Sequence, residues 1–399
     1  MGSIITLGIG HFEVDWGKNG IFRDHSVLFC ASDVKEIEYY YADGIIEKQP
    51  GLSRNLKTVK SRLDLLGYSE REIEKQYKEF QEEFPDYYNI PDIPFSDFKD
   101  AVSEIQLSAV ALDDENIDDG LGEFARRYMV GLPTLKRIMP NDSLALSGLG
   151  DFFENLDPYI ILRILASVPE NEDWELEWRY SDVVDGGWVD LNEVVRPLDQ
   201  ERKILIVTEG SSDARILELA LSTYRPEIAD FFYFVDMEEH YPFTGTGNLL
   251  RFCEGLSRIS IQNKVIVLFD NDCAGIEGYQ KADAISKPPH MVVMRLPDHP
   301  DFANFLTIGP TGEHSENVNG SAVAIENFLD LSQGPRVVPR IRWTSYARKM
   351  GRYQGELEQK EDYSKAFFEC LKRGEEYDAS RINFLLTFII DHWIVNSSK

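Results

Sequence analysis

Two short segments about sixty residues apart limit what this chain can fold into: residues 204–210 (ILIVTEG) and 265–275 (VIVLFDNDCAG). Each is a continuous apolar run that ends abruptly in acid. A run of that length with no polar alternation reads as a strand buried on both faces, the signature of a parallel sheet covered by helices. Acids at the end of such strands are delivered to the carboxyl edge, where open α/β sheets bind ligands. The first strand supplies Glu209 and the second supplies Asp270 and Asp272. Two carboxylates at i and i+2, joined by a third from a neighbouring strand, make a hard oxygen cluster suited to Mg²⁺ or Mn²⁺, ions that keep several waters and bridge to phosphate. The implied chemistry is metal-assisted work on a phosphate.

The surrounding sequence supports repeated βαβ units. Strand-like and helix-like segments alternate as strand 203–208, helix 213–224, strand 231–235, helix 248–258, strand 264–269, helix 276–286 and strand 291–295. Strands separated by helical segments of about ten residues imply parallel pairing. Beyond residue 296 the reading is a polar loop, a short helix near 322–331, a basic segment and two final helices.

The N-terminal half reads differently. ITLGIG and SVLFCAS look like strands of a small lead-in sheet, and 52–83 turns helical, with Leu56, Val59, Leu63 and Leu66 on one face. Gly67 ends that helix and SERE at 69–72 is a capping box for the next. Helices are expected at 98–110, 121–129 and 158–167. Residues 168–199 read as an acidic, Trp-rich connection, and Arg196-Pro197-Leu198-Asp199 is the expected boundary between a domain at 1–199 and one at 200–399.

These residues resemble two known groups. A Glu ending one strand and an Asp-x-Asp ending a later one is the pattern of the Toprim domain, found in topoisomerases, primases, ribosomal-RNA maturases and overcoming-lysogenization-defect nucleases. EGSSD at 209–213 is closer to the nuclease and maturase members. MGSIITLGIGHFEVDWGKN at the start, RLDLLGYS at 62–69 and DVVDGGWVD at 182–190 are similar to bacterial HEPN/Toprim-associated proteins. The resemblance implies an α/β Toprim domain with a parallel sheet, preceded by a mostly helical α+β N-terminal domain that is regulatory or binds a partner. It implies a metal-dependent nuclease acting on DNA or RNA, with Glu209 as general acid/base or metal ligand and Asp270 and Asp272 as metal ligands, and a role in defence against phage or plasmids. A homo-oligomer and an ATPase or sensor protein are the partners it suggests. The name HEPN also denotes ribonucleases that use an Arg followed by a His with four to six residues between them. No such pair occurs among the seven histidines, Arg23 lying only two before His25.

Other residues carry two readings each. Asp213 is either a helix cap or a further metal ligand. Glu326 and Lys360 match the extra acid and lysine that the nuclease relatives use late in the domain, yet Glu326 also fits an ordinary surface acid on an amphipathic helix and Lys360 a helix-face lysine. FTGTGN at 243–248 could cradle a phosphate or be a structural loop. Asp236 and Glu238 flank the site or are merely solvated. A haloacid-dehalogenase phosphatase also places Asp-x-Asp after a strand, but there Thr or Val follows, where this chain has Cys273 and Ala274. A non-catalytic partner-binding module with a regulatory acidic site is the remaining alternative.

Net charge sets a difficulty for any nucleic-acid enzyme. At −28 the chain repels phosphate as a whole. Charge reverses locally over 335–354, where Arg336, Arg340, Arg342, Arg348, Lys349 and Arg352 occur without an acid and are interleaved with Trp343, Tyr346 and Tyr353. That composition suits backbone contact with base stacking, Arg340, Arg342, Arg348 and Lys349 being the candidates. It equally suits neutralisation of the acidic half. No apolar run has the length of a membrane span, no signal peptide is evident, and four scattered cysteines suggest neither zinc nor disulfides, so a cytoplasmic protein with no membrane partner is expected.

Overall fold

A computed structural model describes residues 2–41, 45–83, 92–110, 131–138, 152–235, 245–259, 261–335 and 337–397. The chain divides into two compact units, Met1–Leu198 and Asp199–Lys399. The expected helix at 121–129, together with Asp236, Glu238, His240 and Arg336, lies outside the described residues.

The first unit is built on a five-stranded antiparallel sheet in the order β2-β1-β5-β4-β3. Its strands are β1 (Ile4–Ile9), β2 (Phe12–Lys18), β3 (Val34–Tyr41), β4 (Ile45–Asn55) and β5 (Glu175–Arg179). Helices α1 (Leu56–Leu65), α2 (Glu70–Glu83), α3 (Phe95–Ser103), α4 (Pro133–Ile138), α5 (Pro158–Leu165), α6 (Ser181–Asp185) and α7 (Leu191–Val194) accompany it. The sheet makes the unit mixed in character rather than mostly helical. β5 falls inside the stretch that reads as a linker. Its acids Glu175 and Glu177 alternate with buried Leu176 and Trp178, and it inserts between β1 and β4. SVLFCAS is not a strand. It forms two 3-10 turns because Asp24 accepts from the Ser26 amide and Asp33 from the Cys30 amide, local bonds that compete with a sheet ladder. Arg62 of the RLDLLGYS motif is fully buried and donates to the carbonyls of Val27 and Phe29, tying α1 to those turns.

Trp178 is the packing centre of this sheet, 1% exposed, stacked on Phe29 at 6.4 Å and met edge-on by His25 at 5.6 Å. Trp178→Ala should cost about 3–5 kcal/mol, the usual penalty for emptying an aromatic core site. Urea denaturation followed by circular dichroism measures it; a shift under about 1 kcal/mol would mean that the sheet tolerates the void.

The second unit holds a four-stranded sheet, all parallel, in the order β10-β8-β6-β7. The strands are β6 (Ile204–Val207), β7 (Phe232–Phe234), β8 (Lys264–Phe269) and, after the two-residue β9 (Asn271–Asp272), β10 (Met291–Arg295). Helices α8 (Ser211–Tyr224), α9 (Thr246–Arg258) and α10 (Cys273–Asp283) link them. Leu205, Val207, Val265, Val267, Phe269, Met291 and Val293 form one core with Leu249, Cys253, Leu256 and Ala282.

Beyond the parallel sheet, the expected loop and basic segment fold into a second sheet, β12-β11-β14-β15, from β11 (Phe305–Gly309), β12 (Gly312–Glu316), β14 (Ile341–Ala347) and β15 (Arg352–Leu357). The expected helix at 322–331 is instead the short β13 (Ala322–Val323), paired with β9, and a single 3-10 turn at Ile325–Phe328. Asn327 turns its side chain back to accept from the Ala324 amide, and Asp330 accepts from Ser332, so no α-helix propagates. Helices α11 (Lys360–Arg373) and α12 (Ser380–Asn396) pack on α8. Among the described residues, no helix is long and apolar enough to cross a membrane.

Candidate active site

β6 and β8 are neighbours in parallel register, so the residues that follow them emerge side by side at the carboxyl edge. Glu209 comes after β6 and Asp270 after β8. The Asp270 amide donates to Glu209 Oε1 at 3.0 Å, and the Thr246 hydroxyl donates to Oε2 at 2.5 Å. The Gly245 amide donates to the Glu209 carbonyl at 3.0 Å. The part of FTGTGN that is described thus anchors Glu209; Phe243 and Thr244 lie outside the described residues.

Asp272 caps α10. Its Oδ1 accepts from the Gly275 amide at 2.7 Å, and its other oxygen accepts from Gln354 of β15. Gln354 returns its own oxygen to the amides of Cys273 at 2.8 Å and Ala274 at 3.3 Å, clamping the helix start to the second sheet. The first turn of α10 lies against the strand end so closely that a Cβ on Gly275 would sit 2.2 Å from the Asp270 carbonyl oxygen, and one on Gly278 would sit 2.4 Å from Thr246. The spacing of those two glycines along one helix face is the sequence signal for this approach. Gln354 had none, since its partner is remote in the chain.

Asp213, in the first turn of α8, is 7% exposed, and Glu326 is 2% exposed in its 3-10 turn, with Oε2 lacking a hydrogen-bond partner among the described residues. Glu326 is therefore not a surface acid on an amphipathic helix. Lys360 opens α11 directly after Gln359, a non-glycine residue in the left-handed region at φ 57°. That backbone costs about 1–2 kcal/mol relative to the right-handed region.

The electrostatics bind these groups together. Burial, then the charges of Asp213, Glu209, Asp272 and Glu326, hold the Asp270 carboxyl well above the usual range. Burial and Glu326 push Asp213 up to about 7 against the opposing pull of Lys360. Burial raises Glu209, the bonds from Thr246 and the Asp270 amide opposing it and Asp272 adding to it. For Lys360 burial works against the charge, but Glu326, Asp213, Asp270 and Glu356 outweigh it and its pKa rises.

Such a set of hard oxygen donors, mutually repelling and including an orphan buried oxygen, has the chemistry that a small divalent cation takes. Among the described residues, no group of three or more His, Cys, Asp or Glu side chains is placed so as to hold a metal ion. The hydrogen bonds explain this: both oxygens of Glu209 and both of Asp272 are engaged by protein donors.

In the basic segment, Arg340 pairs with Glu313 and Glu358, Arg342 with Glu358, and Lys349 with Glu277, all within the second unit. These cations balance local acids. Arg348 is exposed and has no ion-pair partner among the described residues.

No curated protein and no solved structure matches the chain. A family model does, over residues 1–202, which takes in the whole first unit and stops just short of Glu209. By that match the chain belongs to the family described as HEPN/Toprim N-terminal domain 1.

Proposed function

We propose that residues 199–399 form a Toprim catalytic domain that cleaves phosphodiesters in DNA or RNA with Mg²⁺ or Mn²⁺. The observation that carries this reading is the Glu209 carboxylate bonded to the Asp270 amide at the carboxyl edge of two parallel strands, with Asp270 surrounded by the charges of Asp213, Asp272 and Glu326. The family description, which names a Toprim association, points the same way.

Asp270, Asp272 and Glu209 would hold the cation, with Asp213 and Glu326 available for a second. The cation supplies charge neutralisation at the scissile phosphate and a more acidic bound water. The protein's own groups do the remainder. Glu209, raised toward neutrality, can exchange a proton with the attacking water or leaving oxygen. Lys360 stays protonated beside four carboxylates, Glu326, Asp213, Asp270 and Glu356, and would offer positive charge to a phosphorane as it gains negative charge. Gln354 fixes Asp272 and the start of α10. The first unit would then regulate the second or bind a partner, such as an ATPase or a sensor that supplies the affinity so acidic a chain lacks, in defence against phage or plasmids.

The test is cleavage of plasmid, single-stranded DNA and transfer RNA, each with Mg²⁺, with Mn²⁺ and with chelator. At least one substrate should be cut with metal and spared in chelator. Cutting that survives chelator, or hydrolysis only of small phosphomonoesters, would overturn the reading, the second in favour of a haloacid-dehalogenase-like phosphatase.

A further inference from the structure

A patch of aromatic rings stands on the hairpin whose Gln354 holds Asp272. On the β14–β15 hairpin, Tyr346 and Tyr353 face each other across the strands, 52% and 49% exposed, with ring centroids 5.1 Å apart. Trp343 lies 6.1 Å from Tyr353. Neither tyrosine hydroxyl has a hydrogen-bond partner among the described residues, unlike the tyrosines anchored in the first unit. Two adjoining rings left half open to water beside a partly covered third are uncommon without a ligand to cover them.

The platform is held rigid. Trp343 Nε1 donates to Glu316 at 2.9 Å, and its ring occupies space that a Cβ on Gly355 would invade at 2.8 Å and one on Gly309 would crowd at 3.0 Å. Its backbone also reaches the site: Gln354, whose side chain leaves the opposite face of β15 from the Tyr353 ring, bonds Asp272, and the Tyr353 carbonyl accepts from Cys273 Sγ at 3.5 Å. Arg348, exposed and without an ion-pair partner among the described residues, follows β14 two residues after Tyr346 and adds a free cation to the same hairpin.

We propose that this hairpin is a stacking platform for an unpaired stretch of nucleic acid. This rests on the nuclease reading of the site and names its substrate class. Rings stack only on bases whose faces are free, and in a duplex those faces are occupied by neighbouring bases. The platform therefore favours single strands, loops or splayed ends over paired substrate.

The experiment is fluorescence anisotropy of the full chain in chelator, with a labelled single strand of about 12 nucleotides, as DNA and as RNA, and the matching duplex. A single strand should bind at least about 10-fold more tightly than the duplex, and the double variant Tyr346→Ser, Tyr353→Ser should lose about 10- to 100-fold, the scale of one or two lost stacks. Tyr353→Phe keeps the ring and should bind as the wild type does. Equal affinity for duplex, an unaffected folded double variant, or a Phe variant as weak as the Ser one would overturn the proposal. Because binding is read without metal, it separates from cleavage: a protein that stacks single strands but never cuts refutes the nuclease reading alone, and one that cuts without dependence on these rings refutes the platform alone.

Discussion

Asp270→Asn should abolish metal-dependent cleavage, with a loss of about 10³-fold or more, while the protein stays folded. The magnitude follows from removing several kcal/mol of charge stabilisation at the reacting phosphate. Asp270 sits at the convergence of the negative field, with Asp213, Glu209, Asp272 and Glu326 all acting on it. It also accepts no hydrogen bond among the described residues, so Asn removes charge without breaking a structural contact. Glu209→Gln should have a comparable effect. The amide can still accept from the Asp270 backbone and donate to the Thr246 hydroxyl, which preserves the local fold while removing the proton-transfer group. Single-turnover cleavage with Mn²⁺, beside a thermal melt, checks both. Either variant cutting at the wild-type rate would remove its residue from the mechanism.

The parts of this fold that were legible in the sequence are those whose residues leave no alternative. ILIV and VIVLF have no polar face, so they can only be buried strands, and the helices between them follow from length alone. β5 was hidden because Glu175 and Glu177 carry enough acid to resemble a linker, although their alternation with Leu176 and Trp178 is the period of a strand. β14 and β15 were hidden for the converse reason. Arginines on their exposed positions suggested a basic tail, whereas buried Ile341 and Leu357 lock the hairpin and Glu358 and Glu313 neutralise it. Glu209, Asp270 and Asp272 could be named because strand ends expose them in order along the chain. The burial of Glu326 and the clamp by Gln354 could not, because each depends on contacts far apart in sequence, and no local pattern distinguishes a buried glutamate from a solvated one.

The second large effect concerns stability without metal. Asp213 has a folded value of about 7 against an ordinary 3.8. Between those values the folded chain holds a proton that the unfolded chain has released, so stability falls as pH rises through that window and stays low above it. A shift of this size corresponds to a penalty on the order of a few kcal/mol at neutral pH, shared with Asp270 and Glu209 because their titrations are linked. Asp213→Asn should therefore stabilise the metal-free protein at about pH 8 by a few kcal/mol and make little difference at about pH 4, flattening the pH profile. Mg²⁺ or Mn²⁺ should bring much the same gain to the wild type, since a cation relieves the repulsion that the proton relieves at lower pH. Denaturant melts of both proteins across this pH range, in chelator and with metal, measure it. A wild type whose stability is flat or rises from pH 4 to 8 in chelator, or an Asn variant no more stable than it at the upper end, would mean that Asp213 carries no such charge strain. Lys360 would then be neutralising it in full, and the cluster would have less need of a metal than its carboxylates imply.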